Sequence, residues 1–228
     1  MLKIWLFIAI SSLVLLGYAH FLQVYLFMKP CEQCVYLRFA FFVIAFSGLL
    51  GILSVNFLQK FSILRNLTQI LAYILGFWGV FLGVKHALAL DKLHSALKNA
   101  DPFGVSGCSQ TPHFPFGLPL HSWFGALFEP NGVCGLDTPF VPAEKATDLS
   151  ALQALFVGTS EQNFTDGLYS EGWYLVPQAE FLSMAQGCLL VFLVFGVVLL
   201  ASFLLWGKGH LKPATLALCG AFALIIWA

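Results

Sequence analysis

Two apolar runs flank one cysteine motif: IWLFIAISSLVLLGYAHFLQVYLFM, residues Ile4–Met28, then KPCEQC, Lys29–Cys34, then VYLRFAFFVIAFSGLLGILSV, Val35–Val55. The first run holds no charge and the second holds one, Arg38. A bilayer-spanning helix needs about 20 apolar residues. Each run meets that length, so the motif is the outer corner of a membrane hairpin.

The same criterion finds two further spans, Leu67–Val84 and Phe181–Trp206, both uncharged. Pro213–Ala228 is uncharged but short, and its 16 residues reach roughly 24 Å. It fits a short fifth span, a re-entrant segment or an interfacial helix. Lys3 before the first run suggests a signal peptide. However, the run exceeds the 7–15 residues of a signal core and no A-x-A site follows, so it reads as a retained helix. The expectation is an all-α membrane protein: a single membrane domain over 1–228, built as a four-helix bundle with a long outer loop over about 86–180.

Composition agrees. Of 228 residues 59% are hydrophobic and 10% charged, against about 25% charged in soluble domains. That excludes an ordinary soluble enzyme, a disordered chain and a nucleic-acid binder with a basic face. Lys3, Lys60, Arg65, Lys208 and Lys212 fall on one side of the spans, with no acid. All eleven acidic residues fall on the other, with the remaining six basic ones. The positive-inside rule places the first group in the cytoplasm. The N-terminus is then cytoplasmic and the loop 86–180 outside. Two apolar stretches in that loop, Asp148–Gly158 and His121–Phe128, either lie flat on the membrane or pack on the bundle.

Cys31, Cys34, Cys108 and Cys134 lie outside, whereas Cys188 and Cys219 lie in apolar segments and read as core residues. Four outer cysteines allow three pairings. A bridge between Cys108 and Cys134, even as a static staple, stabilises by roughly 3 kcal/mol or more in the loop-entropy model. Haem attachment needs His after the second cysteine of C-x-x-C, and Val35 stands there. A four-cysteine zinc site would need two loops to converge, so no metal is expected. Cys34 opens a helix, where the backbone dipole favours a thiolate. Arg38 is four residues on, on the same face. A charge inside a span is costly and marks function by default, unless the side chain snorkels to the headgroups.

The order of a span, then C-x-x-C with Arg four residues after the second cysteine, two spans, a loop cysteine pair and a fourth span resembles the DsbB family. Those are bacterial inner-membrane thiol–quinone oxidoreductases. The resemblance covers about residues 4–206, and KPCEQCVYLRF (29–39) is most similar to the DsbI branch. The stretch from Cys134 to span four is longer than in DsbB itself, and the tail after Trp206 is additional. The resemblance implies that Cys108 forms a mixed disulfide with a DsbA-like (DsbL-type) periplasmic thioredoxin-fold protein, with Cys134 as its mate. Electrons then pass to Cys31–Cys34, and Cys34 faces a bound ubiquinone or menaquinone. It also implies that Arg38 and His86 neighbour the quinone, in the bacterial inner membrane. Without it, a lone His at a membrane boundary reads as a structural hydrogen-bonder, while His20 deep in span one reads as a packed side chain. Such a partner has a potential near about −120 mV, so its reoxidation needs an acceptor stronger than glutathione.

Two rivals belong to other classes. One is a non-catalytic membrane scaffold with static outer disulfides. The other is a quinone reductase resembling vitamin K epoxide reductase, also a helical bundle with C-x-x-C. The motif here opens span two and precedes the other cysteine pair, which is the DsbB-like order. Thiols that change redox state on adding quinone separate an enzyme from a scaffold.

The charge asymmetry predicts that a reporter fused after Lys60 reads as cytoplasmic and one after Glu144 as periplasmic. The reverse at either site overturns the orientation.

Overall fold

The computed structural model of the chain describes residues 1–58, 60–98, 109, 111–132 and 137–210. Cys108, Cys134, Cys219 and the segment 213–228 lie outside the described residues.

Four helices are long and apolar enough to cross a membrane: α1 (Leu2–Tyr25), α2 (Glu32–Asn56), α3 (Ser62–Lys98) and α7 (Met184–His210). Between α3 and α7 lie α4 (Leu120–Trp123), α5 (Gly125–Phe128) and α6 (Ala151–Val157). A hairpin of β1 (Tyr174–Val176) and β2 (Phe181–Ser183) leads into α7, with Tyr174 opposite Ser183 and Val176 opposite Phe181. The protein is an all-α membrane bundle. α2 is central, packing on α1 and α3, and α7 closes the other side of α3.

Small residues let the helices approach, as in membrane interfaces generally. A methyl group at Gly48 would stand 2.8 Å from the Ala9 backbone nitrogen, and one at Gly51 would stand 2.1 Å from the Trp5 ring. Gly83 meets the Phe192 ring in the same way, at 2.3 Å. Hydroxyl groups add polar links inside the apolar interior. Ser47 Oγ donates to Ala72 O at 2.6 Å, Tyr73 OH and Ser202 Oγ lie 2.8 Å apart, and Ser54 donates to Gln69. Phe7, Ile10, Val14, Phe46, Val197 and Leu205 point outward, as lipid-facing residues must.

Most helix ends differ from the apolar runs, with α2 beginning at Glu32, α3 at Ser62 and α7 ending at His210, and three further ends have an identifiable cause. α1 stops at Tyr25, short of Met28, because Phe27 turns left-handed (φ 55°) and the Met28 N–H returns to Leu22 O at 3.2 Å. α3 runs on to Lys98, beyond the charge-free stretch. Buried Ala87, Leu90 and Leu93 keep helical spacing through the charged residues, so amphipathic packing sustains the helix. His86 is therefore inside α3 and not at its end. At α7, Phe181–Ser183 are taken by β2 after the Pro177–Ala179 turn, so the helix begins at Met184.

The outer segments are tied to the α1–α2 corner. Asn131 and Gly132 N–H groups both donate to Pro30 O, at 3.1 and 3.0 Å. Phe140 N–H donates to Phe27 O at 3.0 Å, and Lys29 Nζ sits 3.9 Å above the Phe140 ring. His94 Nε2 lies 3.0 Å from Asp137 Oδ2. α6 is capped by Ser150 and Gln153 in a reciprocal pair, and Gln153 Nε2 also donates to Tyr25 O at 2.9 Å. Gly158 (φ 99°) ends α6, as its sequence suggests. Beyond it, Asp166 accepts from the Thr159 N–H and hydroxyl, which hold its carboxyl below the usual carboxylate range.

Both apolar loop stretches pack on the bundle with part of their apolar surface. His121–Phe128 is broken at Phe124 into α4 and α5. Leu120 and Phe128 pack with Val35, Phe39 and Val43, while Trp123 and Phe124 stay exposed. In α6, Val157 joins Leu22, Leu26, Met28 and Tyr169, while Leu152 and Leu155 face outward.

Gly48→Leu is expected to force α1 and α2 apart at a cost of about 1–3 kcal/mol, read as an earlier midpoint in detergent unfolding. Gly17→Leu, at a position with nothing within 4 Å, is the control expected to leave the midpoint in place.

Candidate redox site

Cys31 is the N-cap of α2, extended at φ −80° and ψ 171°, and its Sγ accepts the Cys34 N–H at 3.2 Å. One helical turn thus brings the two sulfurs to 2.6 Å. Cys31 is 1% exposed and Cys34 is half-buried. The pair is positioned for disulfide chemistry, with Cys31 closed to any protein-sized reagent.

Arg38, one turn below, is 6% exposed. It does not reach outward to the headgroups. Nη1 donates to Gln23 Oε1 at 2.6 Å and to Leu127 O at 3.1 Å, and Nη2 donates to Ala19 O at 3.2 Å. These partners come from α1 and α5, and all are neutral oxygens. A guanidinium has five N–H donors, and among the described residues these three bonds leave two of them over and no carboxylate meets the charge.

His86 approaches from α3. Its Nδ1 lies 2.8 Å from Gln33 Oε1, and its ring lies 4.6 Å from that of Tyr36. With the amide oxygen facing the ring, Nδ1 is the nitrogen that donates in this contact. Tyr36 also meets Phe114 edge-on at 5.7 Å.

The structure places Cys31, Cys34 and Arg38 on the first two turns of α2, and brings His86 of α3 onto Gln33, between the two cysteines. A model of the family described as "Disulfide bond formation protein DsbB" matches residues 2–202. The chain belongs to the DsbB family. Among its relatives, a protein-disulfide oxidoreductase DsbI of Salmonella typhimurium is 40% identical over 215 residues, covering 92% of this chain and 87% of the relative. One of the same name from Escherichia coli is 41% identical over 213 residues, covering 92% and 86%. A Campylobacter jejuni relative that also carries the DsbI name is 43% identical over 213 residues, covering 92% and 77%. The chain is accordingly a multi-pass membrane thiol oxidoreductase of disulfide bond formation.

Glu32, Gln33, Tyr36 and Gln23 escaped the sequence reading. Gln23 carries a usable signal, being an amide in an otherwise apolar span three residues from His20. His20 is half-buried in α1, with Nδ1 buried and without a partner among the described residues. Cys188 packs at the edge of the main core, as its apolar setting suggests.

Gln23→Leu removes one acceptor from a buried cation and is expected to cost about 1.5–3 kcal/mol, measured by thermal unfolding in detergent. Adding Arg38→Met should recover much of that loss, because the two effects share one contact.

Proposed function

We propose that this protein reoxidises a soluble periplasmic DsbA-like (DsbL-type) dithiol protein and passes the electrons to a membrane quinone, ubiquinone or menaquinone. The carrying observation is the Arg38 guanidinium, buried one turn below the Cys31–Cys34 pair and held, among the described residues, by neutral oxygens alone. A buried cation without a carboxylate is costly, and it is offset when a thiolate or a reduced oxygen comes beside it.

The sequence of exchanges is the one that the resemblance to the DsbB family implies. A partner thiolate attacks Cys108 of a Cys108–Cys134 disulfide, and Cys134 leaves as the thiolate. The partner's second thiol then displaces Cys108, so the partner is oxidised and the loop pair reduced by two electrons. The loop pair next reduces Cys31–Cys34. The near-complete burial of Cys31 supports this relay, since a folded partner has no direct route to it.

Arg38, His86 and Cys34 are the residues that fit a quinone. The two remaining Arg38 donors suit a carbonyl oxygen, and His86 Nε2 can hold or release a proton. When bound, the quinone supplies a two-electron, two-proton acceptor. Arg38 favours the Cys34 thiolate and offsets negative charge on oxygen, while the surrounding apolar bundle excludes water. In the cell the site belongs at the periplasmic face of the inner membrane, with the N-terminus in the cytoplasm, in line with the charge asymmetry of the loops.

Quinone absorbance followed under turnover with a reduced DsbA-like protein tests the reading. Arg38→Met should cut quinone reduction by at least tenfold, with Arg38→Lys a partial rescue because it keeps charge but loses the planar fork. In parallel, Cys134→Ser should trap the partner on Cys108 with or without Arg38→Met. Unchanged quinone kinetics in Arg38→Met reject a quinone-side role for Arg38, and trapping on Cys31 or Cys34 rejects the division of labour between the pairs.

A further inference from the structure

The two residues enclosed by the C-x-x-C motif face different neighbours. Gln33 meets His86, whereas Glu32 faces the outer loop. Glu32 Oε2 accepts the Ser109 backbone N–H at 2.9 Å, and Glu32 Oε1 accepts the Tyr36 hydroxyl at 3.0 Å. The Tyr36 oxygen in turn accepts the His113 backbone N–H at 2.9 Å. One carboxylate and one phenol thus grip the loop backbone at two points, four residues apart. Ser109 Oγ also donates to Thr111 O at 2.9 Å and accepts the Thr111 N–H at 3.1 Å. Phe114, 4% exposed, seals the far end by packing against Tyr36, Phe39 and Phe128.

Ser109 is the residue that follows Cys108 in sequence. Its N–H is bound by a side chain lying between the two cysteines of α2. We propose that Glu32 and Tyr36 form a positioning clasp, which holds the Ser109 and His113 backbone against the first turn of α2 so that the loop cysteine pair can exchange with Cys31–Cys34. The proposal rests on the two-pair relay above and adds to it the residues that set the geometry of the internal step. In that step a loop thiolate attacks Cys31 Sγ, the Cys31–Cys34 bond breaks, and Cys34 leaves as the thiolate. The second loop thiol then displaces Cys31, the loop disulfide forms, and two electrons rest on the Cys31–Cys34 pair. Two disulfide pairs separated along the chain by more than 70 residues meet efficiently only if the loop is held, and fixed orientation is worth orders of magnitude in rate. Hydrogen bonds to an ionised carboxylate are about twice as strong as neutral ones, which suits Glu32 to the task.

A carboxylate at a helix start also stabilises the helix through its dipole, so the test must separate the two roles. Glu32→Asp keeps the charge at the helix start and shortens the reach by one methylene. Glu32→Ala removes both, and Tyr36→Phe removes only the hydroxyl. Full-length protein with added ubiquinone-1 is mixed with reduced DsbA-type protein, quenched in acid and alkylated, so that each cysteine pair is scored as thiol or disulfide by mass. A reference rate uses dithiothreitol as reductant in a Cys108→Ser, Cys134→Ser background, where electrons must enter at Cys31–Cys34 directly.

The ratio of protein-driven to dithiothreitol-driven rates is expected to fall about tenfold in Glu32→Ala and Glu32→Asp, and about threefold in Tyr36→Phe. Reduced Cys108 and Cys134 should accumulate while Cys31–Cys34 stays oxidised. A ratio that stays at its original value, or is rescued by Glu32→Asp, overturns the clasp and leaves Glu32 a helix-start charge. A protein with its native residues that passes no electrons from the loop pair to Cys31–Cys34 overturns the relay itself, and the clasp with it.

Discussion

The guanidinium of Arg38 is a full positive charge held by an amide oxygen and two main-chain carbonyls at one end of an apolar bundle. Much else at that end is arranged around it. Gln23 brings α1 to it, Leu127 brings α5, and the first turn of α2 sets the cysteines above it. The neutral oxygens solvate the cation without cancelling it, so its field remains available to an anion formed beside it. A carboxylate in the place of Gln23 would quench that field and hold the side chain in a closed pair.

Around this charge the first turn of α2 divides the work. Cys31 and Cys34 are joined by the geometry of a helix N-cap, which places the sulfurs together before any chemistry begins. The intervening residues point to opposite sides, Gln33 to His86 and Glu32 to the loop. A single turn therefore touches the membrane-facing and loop-facing halves of the site. Tyr36 links them, stacking near the imidazole and bonding to the loop with its hydroxyl.

The bundle was legible in the sequence because lipid imposes a length and an absence of charge that few other settings demand. The cysteines and Arg38 were legible because C-x-x-C at a helix start and a charge within a span are both rare. The boundaries were less so. α3 passes into an amphipathic stretch where charges and buried leucines alternate, and an apolar-run criterion stops at the first lysine. Glu32 and Gln33 were hidden for a different reason. Their partners are 77 and 53 residues away, Ser109 and His86, and no local pattern reports a contact of that span.

The Pro30 carbonyl accepts two N–H groups of the returning loop, and Phe27 and Tyr25 accept one more each from Phe140 and Gln153. The chain beyond Phe140 is thereby moored to the α1–α2 corner before it builds α6, the hairpin and their own small core on Leu22, Leu26 and Met28. That small core and the mooring therefore share the residues that lead into Cys31, so the folded loop bears directly on the corner where the cysteine turn begins.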